Sequence, residues 1–393
     1  MATSRYLIGN ASSFCTKTPK CSRIASRHLS RAFSTTPNVQ VAPVSLASQD
    51  AQASLTYCTN LVRNFDGPAY SLSHFIQPHI IPAYMAIRAF NIEISRIPDI
   101  VSNTTIGQMR HQFWKDTINK TFNANPPEEP VATLLSAYMQ DTGIRLNKTW
   151  LTKIVSAREQ ALLRPGFTNI SELESYAEST YSMLLYLTLS AISLNSLTAD
   201  HVASHVGKAA GIAAVLRGVP LLAFPGAPNS HSNNPAGMGL PMTRDRQRVV
   251  NLPLDVMSQC GVREEDIYRN GGNAEGLRDA VFAVATRASD HLITARSLVK
   301  EVNSYQEPSH EFEHLYDEGH EYGSQNTDTQ QPQEVRKRDL QQAYGVIMGP
   351  AISTQLWLDR LQKVDFDIFH NSLRIQEWKL PIVAWWRNRQ NTF

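Results

Sequence analysis

Cysteine is scarce in this 393-residue chain, with four at positions 15, 21, 58 and 260. Thiols so few and so spaced exclude the disulfide framework that staples small secreted domains. They fit ordinary packing or a reduced compartment better than a bridge or a zinc site. No unbroken apolar run of about 18 residues occurs, so no membrane-spanning helix is expected. Acidic residues are missing from the first 49 positions, which hold Arg5, Lys17, Lys20, Arg23, Arg27 and Arg31. The rest of the chain carries 31 basic against 35 acidic side chains. A body leaning acidic has no electrostatic footprint for nucleic acid. Strand-like alternation is missing too, because the periodic segments are long and follow the helical repeat. Lys208 follows Gly207, yet no GxxxxGK[ST] phosphate loop surrounds it.

An N-terminus rich in Ser, Thr and Arg and free of acid has the composition of a mitochondrial presequence. Arg31-Ala32-Phe33-Ser34 looks like a matrix-processing site, with cleavage expected between Phe33 and Ser34. The plainer alternative is a disordered basic tail. Residues 1–33 are read as presequence and 34–54 as a flexible Ser/Ala/Pro/Val/Gln linker. Residues 55–393 are read as one helical body, interrupted at 301–333 by an acidic, Gln-rich insertion expected to be disordered. His310, His314 and His320 stand among its carboxylates. Chance clustering in a polar segment accounts for them better than a metal site does.

Within the body, Pro82 to Ser95 has apolar residues around most of its circumference, which predicts an interior helix. Further helices are predicted over 104–122, 129–142 and 147–164, with Gly143 and Pro165-Gly166 as stops. Ser171 and Glu174 suggest a capping box opening a helix to about Leu194. His201 to Leu222 reads as a buried helix rich in small residues, with Thr198 or Asp200 as N-cap. The turn-rich stretch from Pro225 to Asn234 predicts a loop. A short helix starts near Leu252 and closes at Gly261. Later helices are expected over 274–302, 335–348 and 352–361. The body is therefore all-α.

Two of these helices resemble the signature helices of the isoprenoid synthase fold, in its squalene and phytoene synthase family. Catalytic members of that family carry an Arg and an Asp-rich DxxxD on the first helix, and Asn-xxx-Asp-xxx-Asp on the second. Such spacing sets carboxylates on one helix face. The resemblance implies two opposed faces holding magnesium ions, which grip a substrate diphosphate and stabilise its departure. Aligned on Arg88, the first motif here reads Arg88-Ala89-Phe90-Asn91-Ile92-Glu93-Ile94-Ser95. The key aspartates map to Asn91 and Ser95, and Glu93 points about 160° away from Asn91. The second motif keeps Arg217 but offers Ala214, Gly218 and Leu222. Removing a single transition-state donor costs about a hundred- to a thousandfold in rate. With the whole cage replaced, prenyl transfer is not expected, nor any bound metal or cofactor.

A narrower resemblance rests on AFNIEIS, MRHQFWKDTINKTF, LESYAESTYSMLLYL, SHVGKAAGIAAVLRGVP and LPLDVMSQCGV. These phrases are similar to the mitochondrial complex I assembly factor 6 family, a non-catalytic branch of the same superfamily. That resemblance implies a matrix protein in peripheral contact with the inner membrane, working with complex I subunits or other assembly factors. An alternative function is a magnesium-dependent isoprenyl diphosphate synthase, or a protein binding an isoprenoid or lipid.

Arg88, Asn91, Ser95, Tyr176 and Arg217 are the candidate lining of a vestigial pocket for such a ligand. The competing reading makes each a satisfied polar group inside a bundle. His201 and His205 lie four apart on one helix, but no HExxH frame accompanies them, so zinc is not expected. The final stretch WKLPIVAWWRNR mixes Trp, aliphatic and Arg residues as interfacial membrane segments do. It reads equally as a helix closing the core.

Overall fold

The computed structural model describes residues 48–101, 103–225, 248–304 and 333–390. The expected presequence with its Phe33–Ser34 cleavage site, most of the turn-rich loop and most of the insertion lie outside these residues. Among the described residues there are fifteen α-helices and no strand, apart from an isolated bridge between Phe167 and Pro253.

The folded body starts earlier than the sequence suggests. Helix α1 (Gln49–Phe65) opens where the Ser48 hydroxyl accepts from the Ala51 N–H at 3.1 Å. Ala51, Ser54, Cys58, Leu61 and Val62 then fall at helical spacing and are buried. Residues 49–54 are thus helix, not linker. Their composition hides this, because Ala and Gln suit a helix as well as a linker. Asp66 follows and caps the short α2 (Gly67–Leu72) by accepting from the Ala69 N–H at 3.2 Å.

Helix α3 (Ile81–Ser95) begins on Pro82, which tolerates the first turn because its missing N–H would have no partner there. Eleven of its fifteen residues are buried, which makes it an interior helix. It packs against α1, α6 (Pro130–Thr142) and α9 (Met183–Ala191). The intervening α4 (Ile97–Ile100) and α5 (Thr104–Phe122), with α7 (Lys148–Leu163), complete this half. Gly143 stops α6 in the left-handed conformation, as its position in the sequence suggests.

The helix expected from Ser171 to about Leu194 forms, but with a π turn inside it. Asn169, not Ser171, caps α8 (Ile170–Ala177) by accepting from the Glu172 N–H at 2.8 Å. Glu172 in turn accepts from the Thr168 N–H and hydroxyl. After Ala177 the chain makes one π turn, Glu178–Ser182, before α9 resumes.

Helix α10 (Leu197–Ala223) is the axis of the second half. It packs against the π turn, α8, α9, α13 (Leu277–Asn303) and α14 (Gln333–Lys363). Neither expected N-cap is used: Ser196 holds that position, without a side-chain bond to the helix. By length and composition alone α10 is apolar enough to cross a bilayer, although no unbroken apolar run marks it in the sequence. Its neighbours give that apolarity another role, because five elements cover it. Gly207 and Gly211 permit the closest approach. A methyl group at 207 would lie 2.5 Å from the Ser182 Cα, and one at 211 would lie 2.5 Å from the Ala177 Cβ.

Two shorter helices, α11 (Leu254–Gln259) and α12 (Glu264–Asn270), lead into α13. Helix α14 runs unbroken through Pro350, where the sequence suggests two helices. Its N-terminal neighbours Gly345 and Gly349 lie against Phe75 and Leu72, so that stretch is held from outside. The chain ends in α15 (Leu380–Gln390), which rests on α14 and α2. Only Leu380 and Ala384 of this helix are buried. The reading of the tail as a core-closing segment therefore holds for those two residues and the half-buried Val383.

Candidate functional site

Between α3 and α10 lies a cavity of about 270 Å³, closed on its other sides by α2, α9 and α14. Arg88, Asn91 and Ser95 reach it from one helix, and Ala214 and Arg217 from the other. Tyr181 joins them from the π turn, a distortion that recurs at functional sites. Leu72, Ile76, Leu184 and Val346 are among the apolar residues of its lining. Four of the five residues expected to share a pocket therefore share one. Tyr176 does not: it lines a neighbouring cavity of about 330 Å³ beside α7. The helical turn that carries Tyr181 inward points Tyr176 to the other side.

The hydrogen bonds explain how the polar residues tolerate burial. Arg158, which the sequence reading missed, sits between the two cavities. It donates to the Tyr176 hydroxyl at 2.6 Å and to the Asn91 Oδ1 at 3.2 Å. Ser95 donates to the Ile92 carbonyl at 3.1 Å. Arg88 is paired with Asp66, a residue whose turn position gave no hint of this second role. Burial opposes the charge on Arg88, but the Asp66 carboxylate overcomes that and raises its basicity.

Arg217 is different. Its Nε donates to the Ala213 carbonyl at 3.2 Å and its guanidinium stands 5.3 Å from the Trp357 ring centre. Among the described residues no carboxylate forms an ion pair with it. Burial depresses its basicity, with Tyr181 and Asp66 opposing that more weakly. The cavity thus presents one neutralised arginine and one arginine with charge to spare.

Magnesium requires several oxygen ligands in near-octahedral geometry. Asp66 is the sole carboxylate among the lining residues, and Arg88 already occupies it. Glu93, on the other face of α3, accepts from the Tyr57 hydroxyl at 3.0 Å. The residues present do not fit a metal cage, and among the described residues no other cluster of His, Cys, Asp and Glu does.

Two polar clusters flank the site without entering it. In the π turn, Glu178 accepts from the Tyr186 hydroxyl at 2.6 Å and the Ser204 hydroxyl at 2.9 Å. Lys208 stands 3.7 Å from the same carboxylate. Beyond it, Glu174 is paired with Arg287 and with the His291 Nε2 at 3.0 Å. The His291 Nδ1 lies 3.0 Å from the His205 Nδ1. Burial alone would raise the Glu174 pKa, but His291 and Arg287 together bring it down to about 2. His205 thus enters a relay of hydrogen bonds. The sequence spacing of His201 and His205 hid it, since the third member, His291, lies on another helix.

The squalene/phytoene synthase family model matches residues 62–379. A Homo sapiens protein, complex I assembly factor 6, is 34% identical over 337 residues, 86% of this chain and 82% of its own. The Drosophila melanogaster homolog is 31% identical over 341 residues, 86% of this chain and 84% of its own. The chain belongs to the squalene/phytoene synthase family, on its complex I assembly factor 6 branch. The fold agrees. Squalene synthase HpnC from Alicyclobacillus acidocaldarius superposes with a TM-score of 0.56 at 11% identity, covering 83% of this chain and 99% of its own. A dehydrosqualene synthase solved with a ligand gives 0.57 at 13% identity, over 87% of this chain and 99% of its own. This family member thus has the all-α isoprenoid synthase fold, with its cavity between the two signature helices.

Proposed function

We propose that this chain is a non-catalytic assembly factor for respiratory complex I, acting in the mitochondrion. It works on the matrix side of the inner membrane in peripheral contact, and engages complex I subunits or other assembly factors. The observation that carries this reading is the 34% identity, spread over 86% of the chain, to relatives bearing that name. The cavity supports it from a separate direction. A diphosphate entering without metal ions would be left to Arg88 and Arg217, and Asp66 already neutralises the first. Desolvating each uncompensated charge costs several kcal/mol, so ionisation of an allylic diphosphate lacks its driving force.

The test is deletion of the gene followed by a native-gel assay of complex I. Loss of the complex, restored by the Asn91→Ala/Ser95→Ala double variant, supports an assembly role that does not need the signature positions. Intact complex I in the deletion strain removes the reading.

A second reading rests on Arg217, whose charge has no carboxylate partner among the described residues. It makes the cavity a binding site for an isoprenoid or lipid with an anionic head, whereas a magnesium-dependent isoprenyl diphosphate synthase would lack its metal ligands here. Incubation of the pure protein with magnesium and farnesyl or geranylgeranyl diphosphate discriminates. Release of pyrophosphate above a protein-free control favours the synthase.

A further inference from the structure

Helix α15 sits on the fold the wrong way round for a core element. Its small contact side, Leu380 and Ala384, is buried, and the Tyr344 hydroxyl donates to the Arg387 carbonyl at 3.1 Å. Its large apolar side chains point outward. Trp378 is 71% exposed, Ile382 60%, Trp386 58% and Trp385 50%. Positions 382, 385 and 386 follow a spacing of three and one, which places them on one face of α15, and Trp378 stands exposed in the turn just before the helix. Soluble proteins expose single apolar residues freely, but a contiguous patch with three indoles marks an interaction surface.

The charges around this patch indicate what covers it. Lys379, Arg387 and Arg389 are exposed on the same short segment. Lys379 and Arg389 lie 5.6 and 5.1 Å from the rings of Trp378 and Trp385, so cation and indole are presented together. Glu377, the one acidic side chain in residues 375–390, lies 3.5 Å from Arg360 and is neutralised there. The patch is locally cationic on a body with more acidic than basic side chains. Indoles prefer the boundary between headgroups and acyl chains, and lysine and arginine add attraction to anionic lipid.

We propose that the outer face of α15, together with Trp378 in the turn before it, is a membrane-docking surface, which seats Trp378, Ile382, Trp385 and Trp386 in the interface of an anionic bilayer. The proposal deepens the peripheral-membrane part of the function above and rests on it. The helix docks as it stands, because its attachment to α14 uses the opposite side. Area and charge act in series: the cations draw the patch to the surface, and the indoles hold it there.

The experiment is flotation of the purified full-length chain on phosphatidylcholine vesicles with and without phosphatidylglycerol. Every form shares the basic N-terminal segment, so differences between variants report on α15. The parent is expected to float with the anionic vesicles. A Trp378→Ala/Trp385→Ala/Trp386→Ala variant is expected to lose about tenfold or more of its partitioning, with an unchanged thermal melt. The corresponding triple Phe variant should keep most of it. Arg387→Glu/Arg389→Glu should abolish the preference for anionic vesicles. Equal flotation of the parent and the triple Ala variant overturns the proposal, as does a parent that binds neither vesicle. The native-gel assay above reads the assembly role separately, so either idea can fail while the other stands.

Discussion

Both halves of α10 carry small residues, more of them in the first, and the two have different surroundings. From Asp200 to Gly211 the helix is pressed against the π turn and α8, its glycines spent on backbone contact and its polar groups on hydrogen bonds. At Ala214 and Arg217 it borders a cavity, and among the described residues no carboxylate forms an ion pair with Arg217. Small residues mean close packing at Gly207 and Gly211, and open space beside Ala214 and Gly218. The difference shows that a stripe of Ala and Gly states how near a neighbour can come, and leaves open whether it does.

The sharpest way to break the comparison is a methyl group at position 207. The added Cβ would lie 2.3 to 2.6 Å from the Ser182 Oγ, Cα and N, two of them backbone atoms that cannot step aside. Overpacking of a tight core costs about 1–3 kcal/mol, and backbone contact belongs at the top of that range or above. Gly207→Ala should therefore lower the midpoint of chemical denaturation more than any other change proposed here. If the midpoint holds, the contact between α10 and the π turn is looser than these distances require.

Glu178 comes next. The residue is buried, and its carboxylate accepts from Tyr186 and Ser204 with Lys208 nearby. Replacing it by Ala would leave two buried hydroxyls without their acceptor and Lys208 without its counter-charge. A loss of about 2–3 kcal/mol in a denaturant titration is expected. The isosteric Glu178→Gln should recover part of it, since the amide oxygen still accepts.

Much of this was legible in the sequence. The all-α fold, the interior helix at Ile81–Ser95 and the meeting of Arg88, Asn91, Ser95 and Arg217 followed from helical spacing and family resemblance. What stayed hidden was either irregular or non-local. The π turn leaves no periodic trace, since one extra residue in a long apolar helix only shifts the register. Asp66 and Arg158 belong to the site through contacts with distant segments, and a turn aspartate or a mid-helix arginine looks like a surface residue. Helix α14 runs through Pro350 because packing outweighed local preference. The start of α1 was missed because its first turn has linker composition.

The Glu174 relay tests the rim of the tight half through pH. The folded-state value of about 2 lies below the 4.5 of an ordinary glutamate, so the unfolded chain binds the proton more readily. The stability this contributes is fully present above about pH 4.5, and is lost as pH falls through 2. Because Arg287 is substantially exposed, solvent screening cuts the contribution to about 1 kcal/mol. Glu174→Gln should cost about that much at neutral pH and flatten the acid limb between pH 4.5 and 2. A variant whose acid limb parallels the parent's would show that the ion pair adds nothing to stability.

The smallest effect should carry the opposite sign. A methyl group at Gly218 would find only the Leu222 Cδ1, at 3.9 Å, an ordinary van der Waals contact. Nothing holds this glycine in a conformation that alanine avoids, because its φ is not positive. Alanine inside a helix is better than glycine by about 0.5–1 kcal/mol, since glycine loses more backbone freedom on folding. Gly218→Ala should therefore raise the melting temperature slightly, where the same exchange eleven residues earlier lowers it sharply. Equal and opposite substitutions on one helix would locate the boundary between its packed and open halves. A destabilised Gly218→Ala would mean that the second half is as closely covered as the first.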